Sequence, residues 1–235
     1  MNTGTQEGTS GGRRVQGAKK AAFWLQEESL SALLVLVVAL LFVLPVVNPA
    51  AGRPLSDVVF SLLLLSGVAT VARRGWGRWV IGATVLLVLV LKWTGLAERG
   101  GPTRLVEAFA SLASMTAFTL LVLTRTLSPG PITRRRVEGA VAAYLLFGVA
   151  CGLGYELLET FRPGSLNVGS ALAGWELRRV LEYFSLVTLT TVGYGDVTPV
   201  SPAARALSTF EGVVGQLYPA ILIGWMISSL PSRRA

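Results

Sequence analysis

Nine consecutive residues, Thr188 to Asp196, read Thr-Leu-Thr-Thr-Val-Gly-Tyr-Gly-Asp, and their backbone is suited to holding a dehydrated cation. Carbonyl oxygens are uncharged acceptors that can replace an ion's water shell and bind it without trapping it. For that task successive carbonyls must face one way. An ordinary strand turns them alternately to opposite sides, so some residues must take backbone angles that are costly for L-residues. Gly193 and Gly195 reach positive φ cheaply, and their alternate spacing fits such a backbone. A blander reading is a Gly-rich turn after a buried Thr-rich segment. It leaves unexplained why the stretch falls between two long apolar segments, at 137–157 and 203–230.

The run Thr191-Val192-Gly193-Tyr194-Gly195 resembles the selectivity filter of the potassium channel family, bacterial type. The likeness to that family's two-helix pore module extends over residues 137–230. It implies that potassium, the permeant ion, is held by the carbonyls of Thr191, Val192, Gly193 and Tyr194, with the Thr191 hydroxyl at the cavity end. Gly195, Asp196, Tyr183 and Thr190 are implied as filter support. Val192 and Tyr194 would turn their side chains outward as packing, and Thr188 and Thr190 would end a short pore helix. Tyr183 and Phe184 stand where the family often carries aromatic residues that cuff the filter. A Tyr183–Asp196 hydrogen bond and plain core packing of the two rings are both open. At Val187 some bacterial relatives carry a glutamate that pairs with the filter aspartate, a link this chain cannot make. One chain supplies one filter strand where the ion needs four, so the resemblance implies a homotetramer closed by cyclic symmetry.

Composition agrees with a lipid-embedded chain. Only 14% of residues are charged and 52% are hydrophobic, against roughly 25% charged in soluble domains. Apolar stretches at 29–47, 55–72, 79–95, 105–124, 137–157 and 203–230 each approach the ~20 helical residues that cross a bilayer. The expected fold is an all-α membrane protein with six transmembrane helices and a re-entrant pore helix and selectivity-filter loop between the fifth and sixth. The organisation is then a basic, disordered cytoplasmic tail at 1–25, a four-helix membrane unit at 26–136, the pore domain at 137–230 and a short cytoplasmic end at 231–235. Residues 158–174 read as an outer turret, and the pore helix falls within 175–190. The third stretch is the weakest, interrupted by Lys92, which is expected to snorkel beside Trp93.

With both termini cytoplasmic, 13 of the 21 Lys and Arg residues lie on the cytoplasmic side: four in the tail, three after the second span, four around the fourth loop and two at the end. This positive-inside bias supports the orientation. It also puts Asp196 outside, as the resemblance requires, in the plasma membrane of the cell. The net charge of +8 is thus a topology signal with no nucleic-acid partner implied, and the basic tail would meet anionic lipid. The first apolar run exceeds the roughly 7–15 residues of a signal h-region, so a cleaved leader is not expected. Cys151 is the single cysteine and there is no histidine, which leaves no intrachain disulfide. Nothing reads as an enzyme: no metal-ligand cluster, nucleophile elbow or phosphate loop is present, and no cofactor is expected.

Control of the pore points to Glu211, Gly215 and Pro219 in the sixth span. Gly215 matches the family's hinge glycine, and Pro219 removes the helix hydrogen bond to the Gly215 carbonyl. A hinge at that point competes with the view that Gly212, Gly215 and Gly224 merely permit close helix packing. Glu211 is a carboxyl inside a membrane helix, expected to face protein behind the filter, with Thr and Tyr groups of the pore helix as partners. The stretch 105–124 contains no Lys or Arg, so it carries no voltage-sensor charge. Asp57, Lys92, Arg104 and Glu107 read as an outer ion-pair cluster. Five residues follow the last span, and no cytosolic ligand-binding domain is expected among them. The leading function is passive, potassium-selective conduction. The alternatives are a non-conducting or regulatory membrane interaction subunit that keeps the pore as a scaffold, or a potassium transporter subunit.

Overall fold

The computed structural model describes residues 30–43, 46, 52–71, 77–95, 101–128, 133–169 and 174–228. The tail at 1–25 and the end at 231–235 lie outside the described residues. Among these residues the helices are α1 Leu30–Val43, which closes as a π-helix over Ala39–Val43, α2 Gly52–Val71, α3 Gly77–Trp93, α4 Pro102–Thr126, α5 Arg134–Phe161, α6 Gly174–Leu189 and α7 Pro202–Ser228. The strands among the described residues form a minimal antiparallel pair, β1 Leu166–Asn167 with β2 Thr198–Pro199, in the register Leu166 to Pro199 and Asn167 to Thr198.

Helix ends follow local chemistry. Gly101 at φ 68 leads into Pro102, whose missing N–H costs nothing in the first turn of α4. The Thr133 side chain accepts from the Arg136 amide and caps α5. Ser201 accepts from the Ala204 amide ahead of α7, which again starts on a proline. After α5 the Glu159 carboxylate takes the Gly164 and Leu166 amides at 2.9 and 2.5 Å, and the Ser165 carbonyl takes those of Val200 and Ser201. The chain leaving α5 is thereby stitched to the chain entering α7. The predicted turret is shorter than 158–174, because α5 continues to Phe161.

Among the described residues three helices are long and apolar enough to cross a membrane: α4 with 25 residues, α5 with 28 and α7 with 27. At 1.5 Å per residue they reach ~38–42 Å, beyond the ~30 Å of hydrocarbon. The remaining apolar helical stretches, Leu30–Val43, Asp57–Ser66 and Gly82–Trp93, are shorter. Lys92 has partners within the protein. It is 10% exposed, pairs with Asp57 across α2 and α3 at 2.5 Å and lies 5.1 Å from the centre of the Phe60 ring.

Helix α5 is the axis of the packing. On one side Leu146, Val149 and Leu153 join a core with Val37 of α1, Leu63 of α2, Val88 of α3 and Met115 and Phe118 of α4. On the other, Cys151 and Tyr155 join Leu177, Leu181 and Phe184 of α6 and Ala204 of α7. In lipid such association depends on close van der Waals contact, which small residues permit. A Cβ on Gly152 would approach the Glu182 backbone to 3.2 Å, so glycine there lets α6 lie directly on α5.

The two layers are also joined by charge. Arg178 of α6 is bound by Glu156 of α5 at 2.7 Å and by Glu107 of α4 at 3.4 Å. Glu107, expected beside Arg104 in a surface cluster, is instead buried against Arg178, and it also accepts from Ser111. Removing one member of a buried ion pair strands the other and costs about 3–5 kcal/mol. Arg178→Ala should therefore lower the thermal midpoint of the purified protein in detergent well below that of the wild type. An unshifted midpoint would show that these pairs add no stability.

Candidate functional site

The pore-helix candidate α6 stops at Leu189, and the next backbone amides fold back on its last turn. Thr190 N–H donates to the Leu186 carbonyl at 3.0 Å and Thr191 N–H to that of Thr188 at 3.0 Å. The Val187 carbonyl takes both Val192 N–H at 3.0 Å and Gly193 N–H at 3.3 Å. The Thr190 hydroxyl is spent on the Leu186 carbonyl.

Beyond that turn the chain alternates. Thr191, Gly193 and Gly195 have φ of 61, 58 and 80°, while Val192 and Tyr194 between them stay at negative φ. Changing hand at each residue undoes the strand's side-to-side alternation and turns successive carbonyls to one face. Among the described residues, none of the carbonyls of Thr191, Val192, Gly193 or Tyr194 accepts a hydrogen bond. The two glycines were expected at positive φ and Thr191 was not. For a β-branched residue that conformation costs about 1–3 kcal/mol, so nothing in the residue type signals it.

The outer end of the stretch is held by Asp196, which accepts from the Tyr183 hydroxyl at 2.9 Å and from the Val197 amide at 3.1 Å. The hydrogen bond to Asp196 pushes the Tyr183 phenol above its usual range, so it remains a donor at neutral pH. Phe184 takes the other role left open by the sequence. It is buried edge-on to Tyr155, with ring centroids 4.9 Å apart, as core packing. Val192 and Tyr194 are 52% and 72% exposed in the single subunit.

The inner end is held by residues on the two flanking helices. The Tyr144 hydroxyl of α5 donates to the Leu189 carbonyl at 3.0 Å and its ring stacks on Tyr218, which in turn donates to the Ala140 carbonyl. Gly215 of α7 lies on the same Leu189 carbonyl, so closely that any Cβ would collide with it. Gly212 and Gly224 have no such neighbour among the described residues. Close packing therefore accounts for Gly215 alone of the three. Pro219 lies inside α7, one turn below that contact.

Glu211 is fully buried and faces protein, with partners other than the expected Thr and Tyr of the pore helix. They are Tyr155 of α5, which donates at 2.6 Å, and Ser185 of α6. Sequence reasoning did not single out Tyr144, Tyr155, Ser185 or Arg178 as partners in these contacts. Their signal, a polar group in an apolar helix, was visible, but which groups meet depends on how three helices pack.

The site is thus a backbone with a row of unclaimed carbonyls, braced between two helices long enough to cross a membrane. An ion channel family model matches residues 166–230. A two pore potassium channel c from Oryza sativa subsp. japonica is 46% identical over 46 residues, which cover 20% of this chain and 10% of that protein. The inward rectifier potassium channel Kirbac3.1 from Paramagnetospirillum magnetotacticum is 32% identical over 80 residues, covering 34% of this chain and 22% of the relative. No solved structure matches the chain. Over that segment the chain is similar to ion channels, and both of these relatives are potassium channels. It spans only about a tenth and a fifth of the length of these relatives.

Because the Gly215 contact is made with backbone, which cannot swing away, Gly215→Ala should overpack the junction and cost about 1–3 kcal/mol. The Gly212→Ala and Gly224→Ala proteins should unfold at the wild-type temperature. Equal midpoints for all three variants in a thermal melt would remove the packing role of Gly215.

Proposed function

We propose that the chain is a subunit of a potassium-selective channel in which four copies surround one ion path. The observation that carries this reading is the row of hydrogen-bond-free carbonyls from Thr191 to Tyr194 on a backbone of alternating hand. Four such strands would supply the oxygen cage that replaces a potassium ion's hydration shell. The Thr191 hydroxyl would close it at the cavity end, and the carboxyl end of α6 would aim its negative dipole at the ion below. Non-helical backbone at membrane depth requires protein or water around it. In a tetramer the exposed Tyr194 and Val192, and the uncovered apolar faces of α7 at Phe210, Val213, Leu217, Ile221 and Ile227, would gain neighbours.

In this reading α6 re-enters from outside and α5 and α7 are the outer and inner helices of the pore domain at 137–230. The N-terminal unit at 26–136 would complete a six-span subunit, with α2 and α3 crossing by virtue of the Asp57–Lys92 pair that neutralises their charges. Both termini would be cytoplasmic, in the plasma membrane. Conduction would be passive, with no chemical step and no cofactor. The N-terminal unit would not sense voltage, since within α4 the basic residues Arg104 and Arg125 lie only near its ends.

Gating would use the break in α7. Gly215 anchors the upper half of the helix on Leu189, and Pro219 withholds the hydrogen bond to the carbonyl at Gly215. The part below residue 219 would then swing to open the cytoplasmic mouth. Pro219→Ala should alter open probability in single-channel records, and unchanged gating would remove the hinge.

Protein reconstituted in liposomes should pass potassium well ahead of sodium, with block by barium. Absence of flux from a verified tetramer would favour a non-conducting interaction subunit, and flux that depends on a second ion gradient would favour a transporter subunit.

A further inference from the structure

Glu211 is surrounded by groups that count its protons. Ser185 Oγ touches two oxygens, the Gly148 carbonyl at 2.6 Å and Glu211 Oε1. A hydroxyl has one proton to give, and a carbonyl can only accept. If Glu211 were a carboxylate it too could only accept, and one of the two contacts would set lone pair against lone pair inside the protein. A proton on Oε1 satisfies both: Glu211 donates to Ser185 Oγ, and Ser185 donates to the Gly148 carbonyl. The other oxygen, Oε2, remains the acceptor for the Tyr155 hydroxyl at 2.6 Å.

The rest of the surroundings agree. The titratable groups facing the carboxyl are Tyr155, Cys151 and Tyr144, all from α5. From α6 only the Ser185 hydroxyl reaches it. Among the described residues no Lys or Arg pairs with Glu211, and an ionised carboxylate without a cation is expensive at membrane depth.

We propose that Glu211 is a neutral carboxylic acid that acts as a positioning residue for the filter, its proton linking the inner helix α7 to α6 and, through Ser185, to α5. The link enters α6 one turn before Leu189, the residue from which the carbonyl row is suspended. Loss of the proton to bulk water at alkaline pH leaves Ser185 serving the carboxylate and frees the Gly148 carbonyl. The brace behind the row is then weakened.

The flux arm of the test rests on the channel reading, and the spectroscopic arm does not. Infrared difference spectra of the full chain in liposomes at neutral pH, wild type minus Glu211→Gln, should contain the carbonyl stretch of a protonated carboxylic acid. Carboxylate bands in its place would overturn the proposal whether or not the protein conducts. An amide offers the same donor and acceptor and cannot ionise, so Glu211→Gln should rescue potassium flux to within about twofold of wild type, whereas Glu211→Ala should lower it about tenfold. Wild-type flux should decline at alkaline pH and that of Glu211→Gln should not. An identical alkaline profile in the Gln variant, or full flux in the Ala variant, would also overturn it. If the Ala variant fails to fold, the Gln profile and the infrared band still decide.

Discussion

A stretch of backbone that leaves its carbonyls unpaired has given up the hydrogen bonds that would otherwise hold its shape. Buried backbone normally satisfies both its polar groups locally. From Thr191 to Tyr194, exposed in the single subunit, no carbonyl has a partner among the described residues, so the conformation is held by contacts outside the stretch. The strain at Thr191 makes the demand sharper, since a β-branched residue at φ 61 persists only where its neighbours over-determine it. The surrounding architecture reads as the answer to that demand.

Support comes from both ends. At the outer end Asp196 is clamped by Tyr183, and the strand pair β1–β2 joins the exit of the stretch to the end of α5. At the inner end Leu189 is gripped by the Tyr144 hydroxyl and by the bare backbone of Gly215. Behind these contacts Glu211, Tyr155 and Ser185 connect α7, α5 and α6 within a region lined by Cys151, Phe184 and Leu181. The polar network is fully partnered, the condition under which buried polar groups add definition to a core.

Helix α5 carries these forces to the N-terminal helices. Its far face packs on α1 to α4, and Arg178 draws Glu107 of α4 and Glu156 of α5 to one point on α6. A displacement of α4 would therefore reach α6 through charge as well as through packing. This gives the N-terminal helices a physical route to the stretch at 188–196.

The backbone shape of the stretch at 188–196 was legible in nine residues because its chemistry is local. Glycine at 193 and 195 relieves a steric limit that acts within a single residue, and the flanking apolar runs follow from lipid solvation of each side chain. The long helices α4, α5 and α7 and the Tyr183–Asp196 pairing were within reach of the same reasoning. Apolar run length suggested six spans, of which three are long and apolar enough to cross a membrane among the described residues. Local hydropathy does not register where a helix starts, ends or pairs its charges, as Lys92 with Asp57 shows. Only the tertiary structure decided that Gly215 faces the Leu189 carbonyl, that Ser185 and Tyr155 hold Glu211, and that Arg178 takes Glu107. Each contact joins residues at least 22 positions apart on separate helices, as with Arg178 and Glu156. Sequence determines that such groups must find partners in lipid, and helix packing alone determines which partners they find.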